Sequence, residues 1–267
     1  MKKQLLTVLV LPAMMLTSCS KGAELTKEEA LERQEEISEK QEKQEYPDNM
    51  ELSLSIVTNA GKGKEKESSK VEYVLKGNED GESYFKMKGG TEEEYYDFTI
   101  ITVKNETYEE VTYLKSYDKD EKKTTELVLA KKGSLTYEVA LTPYQSQMLM
   151  PAMLFAAYQD PASVIADFEY DDEDMEEAKV SVKYYSTGAG NLTLESSAKY
   201  TGEVDQDEEI PVSSSSSITY DNYLFKSYEM SAKSNYGNVS SMKLSASYSD
   251  KKISISLPSN WEELLNA

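Results

Sequence analysis

The sequence predicts a mainly β protein of the α+β kind. It reads as one large curved antiparallel sheet or half-barrel of about 11–13 strands, covered by a helix pair and preceded by an N-terminal helix. Three observations predict it. Apolar and polar residues alternate with a period of two over most of the chain between Met50 and Leu257, the mark of half-buried strands. Short turn signals such as Asn78-Glu79-Asp80-Gly81, Gly89-Gly90 and Lys132-Gly133 separate these segments, so sequential strands pair antiparallel. One segment, 143–168, breaks the alternation and reads as helix.

The chain begins with Met1-Lys2-Lys3, an apolar stretch from Gln4 to Met15, and Leu16-Thr17-Ser18-Cys19. A short basic start, an apolar core and small residues before a cut are the parts of a secretory leader. The last four residues resemble a lipobox, the processing site of bacterial lipoproteins. That resemblance implies removal of residues 1–18 and diacylglycerol on the Cys19 sulfur, with palmitate-like chains holding the protein on the extracytoplasmic face of the cell membrane. Two acyl chains anchor stably where one is marginal. The competing reading is an ordinary secretory leader that happens to contain the chain's single Cys.

Residues 19–47 read as the lipidated Cys and a charged helical stalk. Thr26 and Glu29 have capping-box spacing, and Glu36/Lys40 and Glu39/Lys43 are i,i+4 pairs. A helix from Lys27 to about Gln44 would reach roughly 27 Å. Its packing onto the domain through Leu31 and Ile37 is the alternative.

The domain then runs from 48 to 267. The first strand is Met50–Ile56, followed by a polar loop from Gly61 to Ser69. Strand faces follow at Val71–Leu75, Phe85–Met87, Tyr96–Thr102, Thr107–Tyr117, Thr124–Ala130 and Ser134–Leu141. Thr142-Pro143 is a helix start, Pro151 interrupts that helix, and Asp160-Pro161 opens a second one through Phe168. Strands resume at Ala178–Ser186, Asn191–Tyr200, Val212–Tyr220, Tyr223–Ser234, Ser241–Tyr248 and Lys252–Leu257. Mobile acidic loops are expected at 170–177 and 201–210, where like charges repel and bury nothing. Ser259 with Glu262 suggests a capped final turn.

Composition excludes several functions. The net charge is −20, or −22 once Lys2 and Lys3 leave, so phosphate backbones are repelled and no nucleic-acid partner is expected. Absence of His rules out Ser-His-Asp, Cys-His and HExxH chemistry. Neither G-x-S-x-G nor a P-loop occurs, so no catalytic residue is assigned and no enzyme is expected. Asp171, Asp172 and Asp174 lie in the densest acidic run, but the alternating Asp/Asn spacing and Gly of an EF-hand are missing. No metal or cofactor is assigned.

The helical insertion carries the most chemistry. Met148, Met150 and Met153, with Leu149, Leu154 and Phe155, make a soft apolar surface of the kind that adapts to varied ligands. Opposite it the sheet would present Leu52, Leu54, Phe98 and Ile100. A lid of Met, Leu and Phe over an apolar sheet can hold a lipid or acyl chain; the same residues also serve as plain core. The tyrosines, 20 in all, offer another reading. Tyr95/Tyr96 and Tyr184/Tyr185 place one ring on each strand face, so the protein is alternatively a surface module that meets a protein or polysaccharide through exposed tyrosines and acidic loops.

The order of lipobox, helix, strands, helix pair and strands resembles lipoprotein carriers of the LolA and LppX type. That resemblance implies an open half-barrel covered by helices, with acyl chains held between them. It places a hydrophobic ligand against Met148, Met150, Met153, Leu154 and Phe155 on one side and Leu52, Leu54, Phe98 and Ile100 on the other. The expected state is a monomer whose partners are the membrane and a lipid.

Overall fold

Strands of alternating pattern assemble into a single antiparallel sheet in the computed structural model, which describes residues 22–43, 47–60, 67–91, 93, 95–159, 161, 179–205, 208–234 and 239–267. Twelve strands compose it: β1 (Ala23–Leu25), β2 (Met50–Ala60), β3 (Glu67–Gly77), β4 (Ser83–Gly90), β5 (Tyr95–Val103), β6 (Val111–Asp118), β7 (Lys123–Ala130), β8 (Lys179–Ser186), β9 (Leu192–Asp205), β10 (Glu208–Asp221), β11 (Leu224–Ser234) and β12 (Val239–Tyr248). Their order is β1-β8-β9-β10-β11-β12-β2-β3-β4-β5-β6-β7, so the sheet stays open with β1 and β7 at its edges. Two meanders, β2–β7 and β8–β12, join where β12 pairs with β2 from Val239↔Asn59 to Tyr248↔Met50.

That junction sets the path of the helices. Because the meanders meet through β12 and β2, the 48-residue link from β7 to β8 connects opposite sides of the sheet. Ten strand spacings separate them, roughly 50 Å along the arc. The described helices of this link are α2 (Leu135–Leu141) and α3 (Gln145–Gln159), with a 3-10 turn at Thr142–Tyr144 between them. Residue 160 and residues 162–178 lie outside the described residues, and with them most of the expected helix Asp160–Phe168 and the acidic run 170–177.

The face under α3 is apolar in register. Tyr184, Leu194, Ile218, Tyr228, Leu244, Leu54, Tyr73, Met87 and Phe98 stand opposite one another in one transverse row. All are buried. Each large side chain so buried contributes about 1.5–3 kcal/mol. The opposite face is polar over β8–β12, where Ser181, Ser197, Ser215, Ser231 and Ser241 form the matching row. The run Ser213 to Ser217 thus splits between faces, as a period of two requires.

Over β5–β7 the second face is covered as well. Ile101, Val103, Val111, Tyr113 and Val128 are buried there beneath Ile255, Leu257 and α4 (Trp261–Leu265). Residues 252–257 were expected to form a strand, but they do not join the ladder. Two buried asparagines bind the backbone of Ile253 instead. Asn49 Oδ1 accepts from the Ile253 amide at 3.2 Å, and Asn78 Nδ2 donates to the Ile253 carbonyl at 3.0 Å. Asn78 Oδ1 also accepts from the Asp80 and Glu82 amides, which shapes the β3–β4 turn. The helix α4 starts after Asn260, with no cap from Ser259.

Other expectations change for local reasons. Ser134–Leu141 is helix α2 rather than a strand, since Ser134 Oγ caps the Tyr137 amide at 3.3 Å and so nucleates a first turn. Strand β6 begins at Val111, later than Thr107, and β3 begins at Glu67 within the expected polar loop. Strands β9 and β10 extend to Asp205 and from Glu208, so the segment 201–210 is mostly hairpin. Backbone pairing proceeds there despite the acidic side chains.

The N-terminal helix α1 (Lys27–Lys43) does not stand off as a stalk. Thr26 and Glu29 form the capping box, with bonds of 2.8 and 3.2 Å. Ala30 and Ile37 are fully buried, whereas Leu31 is exposed. Glu36 bonds Arg33 and accepts from the Tyr223 hydroxyl at 3.0 Å, and Gln41 reaches the Tyr223 carbonyl at 3.0 Å. The chain reaches α1 only after β1 has paired with β8, from Ala23↔Ser186 to Leu25↔Tyr184. Gly22 makes that approach feasible: its φ is +85°, and a Cβ there would sit 2.2 Å from the Ser186 carbonyl oxygen.

Removing the Asn78 side chain should release the C-terminal segment. Asn78→Ala is expected to cost about 1–3 kcal/mol, the penalty for orphaning buried partners. Chemical denaturation followed by Trp261 fluorescence should show that loss and a red-shifted native emission.

Candidate functional site

Helix α3 meets the sheet through alternating turns. Its 100° step per residue turns Met148, Leu154, Phe155 and Tyr158 toward the sheet, where they pack against the core. Phe155 lies edge-on to Phe225 at 5.6 Å, and Tyr158 stacks on Tyr228 at 4.2 Å. Ahead of the helix, Tyr144 packs on Phe98 at 4.5 Å. One side-chain hydrogen bond also holds the cover, from the Tyr220 hydroxyl to the Tyr158 carbonyl at 2.7 Å. Pro151, inside the helix, is buried.

The expected site residues therefore divide. Met148, Leu154 and Phe155 face the sheet, and Leu52, Leu54, Phe98 and Ile100 are buried beneath the helix side. Met150 and Met153 point the other way, into solvent with Leu149, because one helix cannot turn all these neighbours inward. Tyr184, expected as a surface contact, is buried in the core row, while Tyr95 is half-buried and Tyr96 exposed. Cys19 and the acidic residues Asp171, Asp172 and Asp174 lie outside the described residues.

Sequence reasoning missed a second apolar row on the helix side. One step along the strands from the buried row stand Val182, Met230, Met242, Ile56 and Val71, interrupted by Ser196 and Ser216. These apolar residues are only half-buried, so the apolar face extends past the part that is filled. Met230 and Met242 oppose each other directly across β11 and β12. Their alternation with Glu229 and Lys243 was the signal available in the sequence. Chemically the row offers soft, dispersive contact and two hydroxyls, bonded to each other at 2.9 Å.

Mostly on the opposite face lies a half-open hollow of about 600 Å³, lined by the serine row with Lys183, Glu195, Glu229 and Lys243 and reached also by Met230 and Met242. Its groups are largely matched already. Ser215 and Ser231 bond at 3.0 Å, Lys243 pairs with Glu229 at 2.5 Å, and Lys183 pairs with Glu24 at 3.6 Å.

At the β7 edge, Tyr137 of α2 joins Glu110 at 2.5 Å and Thr112 at 2.7 Å, and Thr112 joins Thr102 at 2.9 Å. Burial first, then the Glu110 hydrogen bond, raises the Tyr137 phenol above the ordinary 10.0. Burial, aided by Tyr158, raises Tyr228 more strongly. Among the described residues no group of three or more His, Cys, Asp or Glu is placed to hold a metal.

These phenols make an alkaline prediction. A raised folded-state value favours the protonated form, so its stabilisation is complete below the unfolded value of 10.0 and is lost as pH rises beyond it. Urea midpoints should decline progressively above pH 10.0, and Tyr228→Phe should decline less steeply.

No protein-family model matches this chain, and no curated protein does. Among solved structures, it is similar to a β-barrel-like protein of the domain-of-unknown-function family DUF1849 from Brucella abortus. That likeness has 9% identity and a TM-score of 0.20, over 75% of this chain and 96% of the other.

Proposed function

We propose that this protein is a membrane-anchored extracytoplasmic lipoprotein that binds or carries a hydrophobic ligand, a lipid or acyl chain, between its sheet and its helices. The anchor is Cys19. One observation carries the ligand reading: the apolar row Met230, Met242, Ile56 and Val71, with Val182 beyond Ser196 and Ser216, is only half-buried beside the row that α3 fills. Soluble proteins rarely leave large contiguous apolar surface without use. An acyl chain lying along that row would gain apolar burial without having to expel α3. Met148 and Phe155 would form the inner wall, and Leu54, Phe98, Leu52 and Ile100 the floor that keeps the wall in place. Flexible methionines suit a ligand of variable length.

Native mass spectrometry of protein extracted without detergent tests the reading. A lipid adduct is expected, together with a diacylated N-terminal Cys19. Ile56→Lys places an ammonium in the row and should reduce recovered lipid by at least about tenfold, equivalent to ~1.4 kcal/mol. Absence of any adduct from the parent protein would overturn the ligand reading. A Cys19→Ala protein that stays in the membrane fraction would overturn the anchor.

A further inference from the structure

The outer side of the helical cover is apolar too. Leu135 and Val139 of α2 are 78% and 63% exposed, and Leu149, Met150 and Met153 of α3 are 55%, 38% and 67% exposed. Residues 139–159 include no Asp, Glu, Lys or Arg, in a chain where 29% of residues are charged. A helix apolar on all sides is ordinarily buried on all sides, yet among the described residues α3 is covered on one.

Topology brings this face toward the anchor. Neighbouring strands run in opposite directions, and β7 stands ten places from β8, so the two run the same way and finish at the same end of the sheet. β8 finishes at Ser186, opposite Ala23, and β7 finishes at Ala130, which leads into α2. Cys19 precedes Ala23 by four residues. Four residues reach at most about 14 Å. A lipid on Cys19 therefore keeps the β1–β8 corner within about 14 Å of the membrane surface, at the end of the sheet from which α2 also departs.

Resting on the Cys19 anchor proposed above, we infer that the exposed face of α2 and α3 docks onto the lipid surface itself. The tether selects this occupant over a second copy, because an anchored chain faces the bilayer at a high effective concentration whereas a copy must diffuse to it. The net charge, −22 once Lys2 and Lys3 leave, repels copies and an anionic leaflet alike, and the uncharged stretch 139–159 can meet lipid without that penalty. The ligand row then opens close to a lipid source, with α3 touching the bilayer on one side and the sheet on the other.

Brominated phosphatidylcholine tests the docking. The acylated full-length protein is reconstituted in phosphatidylcholine vesicles, with Trp261 as the internal baseline. Met153→Trp adds a reporter at an exposed position that tolerates it, Leu149→Trp repeats the measurement, and Ser231→Trp on the opposite face is the control. An interfacial helix sits roughly 5–10 Å into the boundary region, so acyl-chain bromine should lower the added emission at 153 and 149 by about half and leave that at 231 unchanged. Equal emission in brominated and plain vesicles would overturn the proposal, as would emission changes that track protein self-association instead of bromine. A protein that proves unacylated at Cys19 would refute the anchor alone. Excess vesicles would then still decide the face, with quenching at 153 supporting docking and its absence overturning it.

Discussion

The pairing of β12 with β2 is the constraint on which the rest of the molecule depends. Without it the chain would be two separate meanders, each with two exposed edges and an uncovered apolar face. With it the last strand closes onto the first long one, and Leu244 meets Leu54 in the centre of the buried row. The same pairing sends β7 and β8 to opposite sides, so their connection has to cross one face. That crossing delivers α3 to the apolar side, and the helix needs no charged anchor because the row beneath it is already assembled.

Much of this was legible in sequence. Strands β2–β12 and the apolar interruption follow from a change of period that side-chain geometry enforces, whereas β1 (Ala23–Leu25) lies in the stretch read as a stalk and is too short to show a period. The order of strands was not legible, because β12 and β2 are separated by most of the chain and nothing local marks them as partners. Ser134–Leu141 misled for a different reason: Leu135, Tyr137, Val139 and Leu141 alternate like a strand, while a single cap at Ser134 and a buried phenol at Tyr137 decide for helix. Residues 252–257 alternate as well, yet asparagine side chains at positions 49 and 78 take both backbone groups of Ile253 in their midst.

The candidate site was half legible for a geometric reason. Composition alone showed that 148–155 is apolar, but a helix that is apolar all round carries no phase, so which methionines face the sheet was undetermined. Strand residues have phase, and Leu52, Leu54, Phe98 and Ile100 accordingly fell on the inner face. Met230 and Met242 escaped notice because each sits alone among Ser, Glu and Lys. Only the β11–β12 register places them side by side.

The two sides of α3 follow from one feature of its sequence. A cover helix on a soluble domain normally carries charge on its outer face, and 29% of this chain's residues are charged. Keeping 139–159 uncharged leaves the outer side without solvation by charged groups, a persistent cost if that side met only water. Nothing in the buried row demands it, since Lys or Glu at 149 or 153 would leave Met148, Leu154 and Phe155 in place. The outer apolar residues are therefore explained by what lies outside the sheet, and the anchor proposed at Cys19, four residues from β1, would make the membrane the nearest apolar phase.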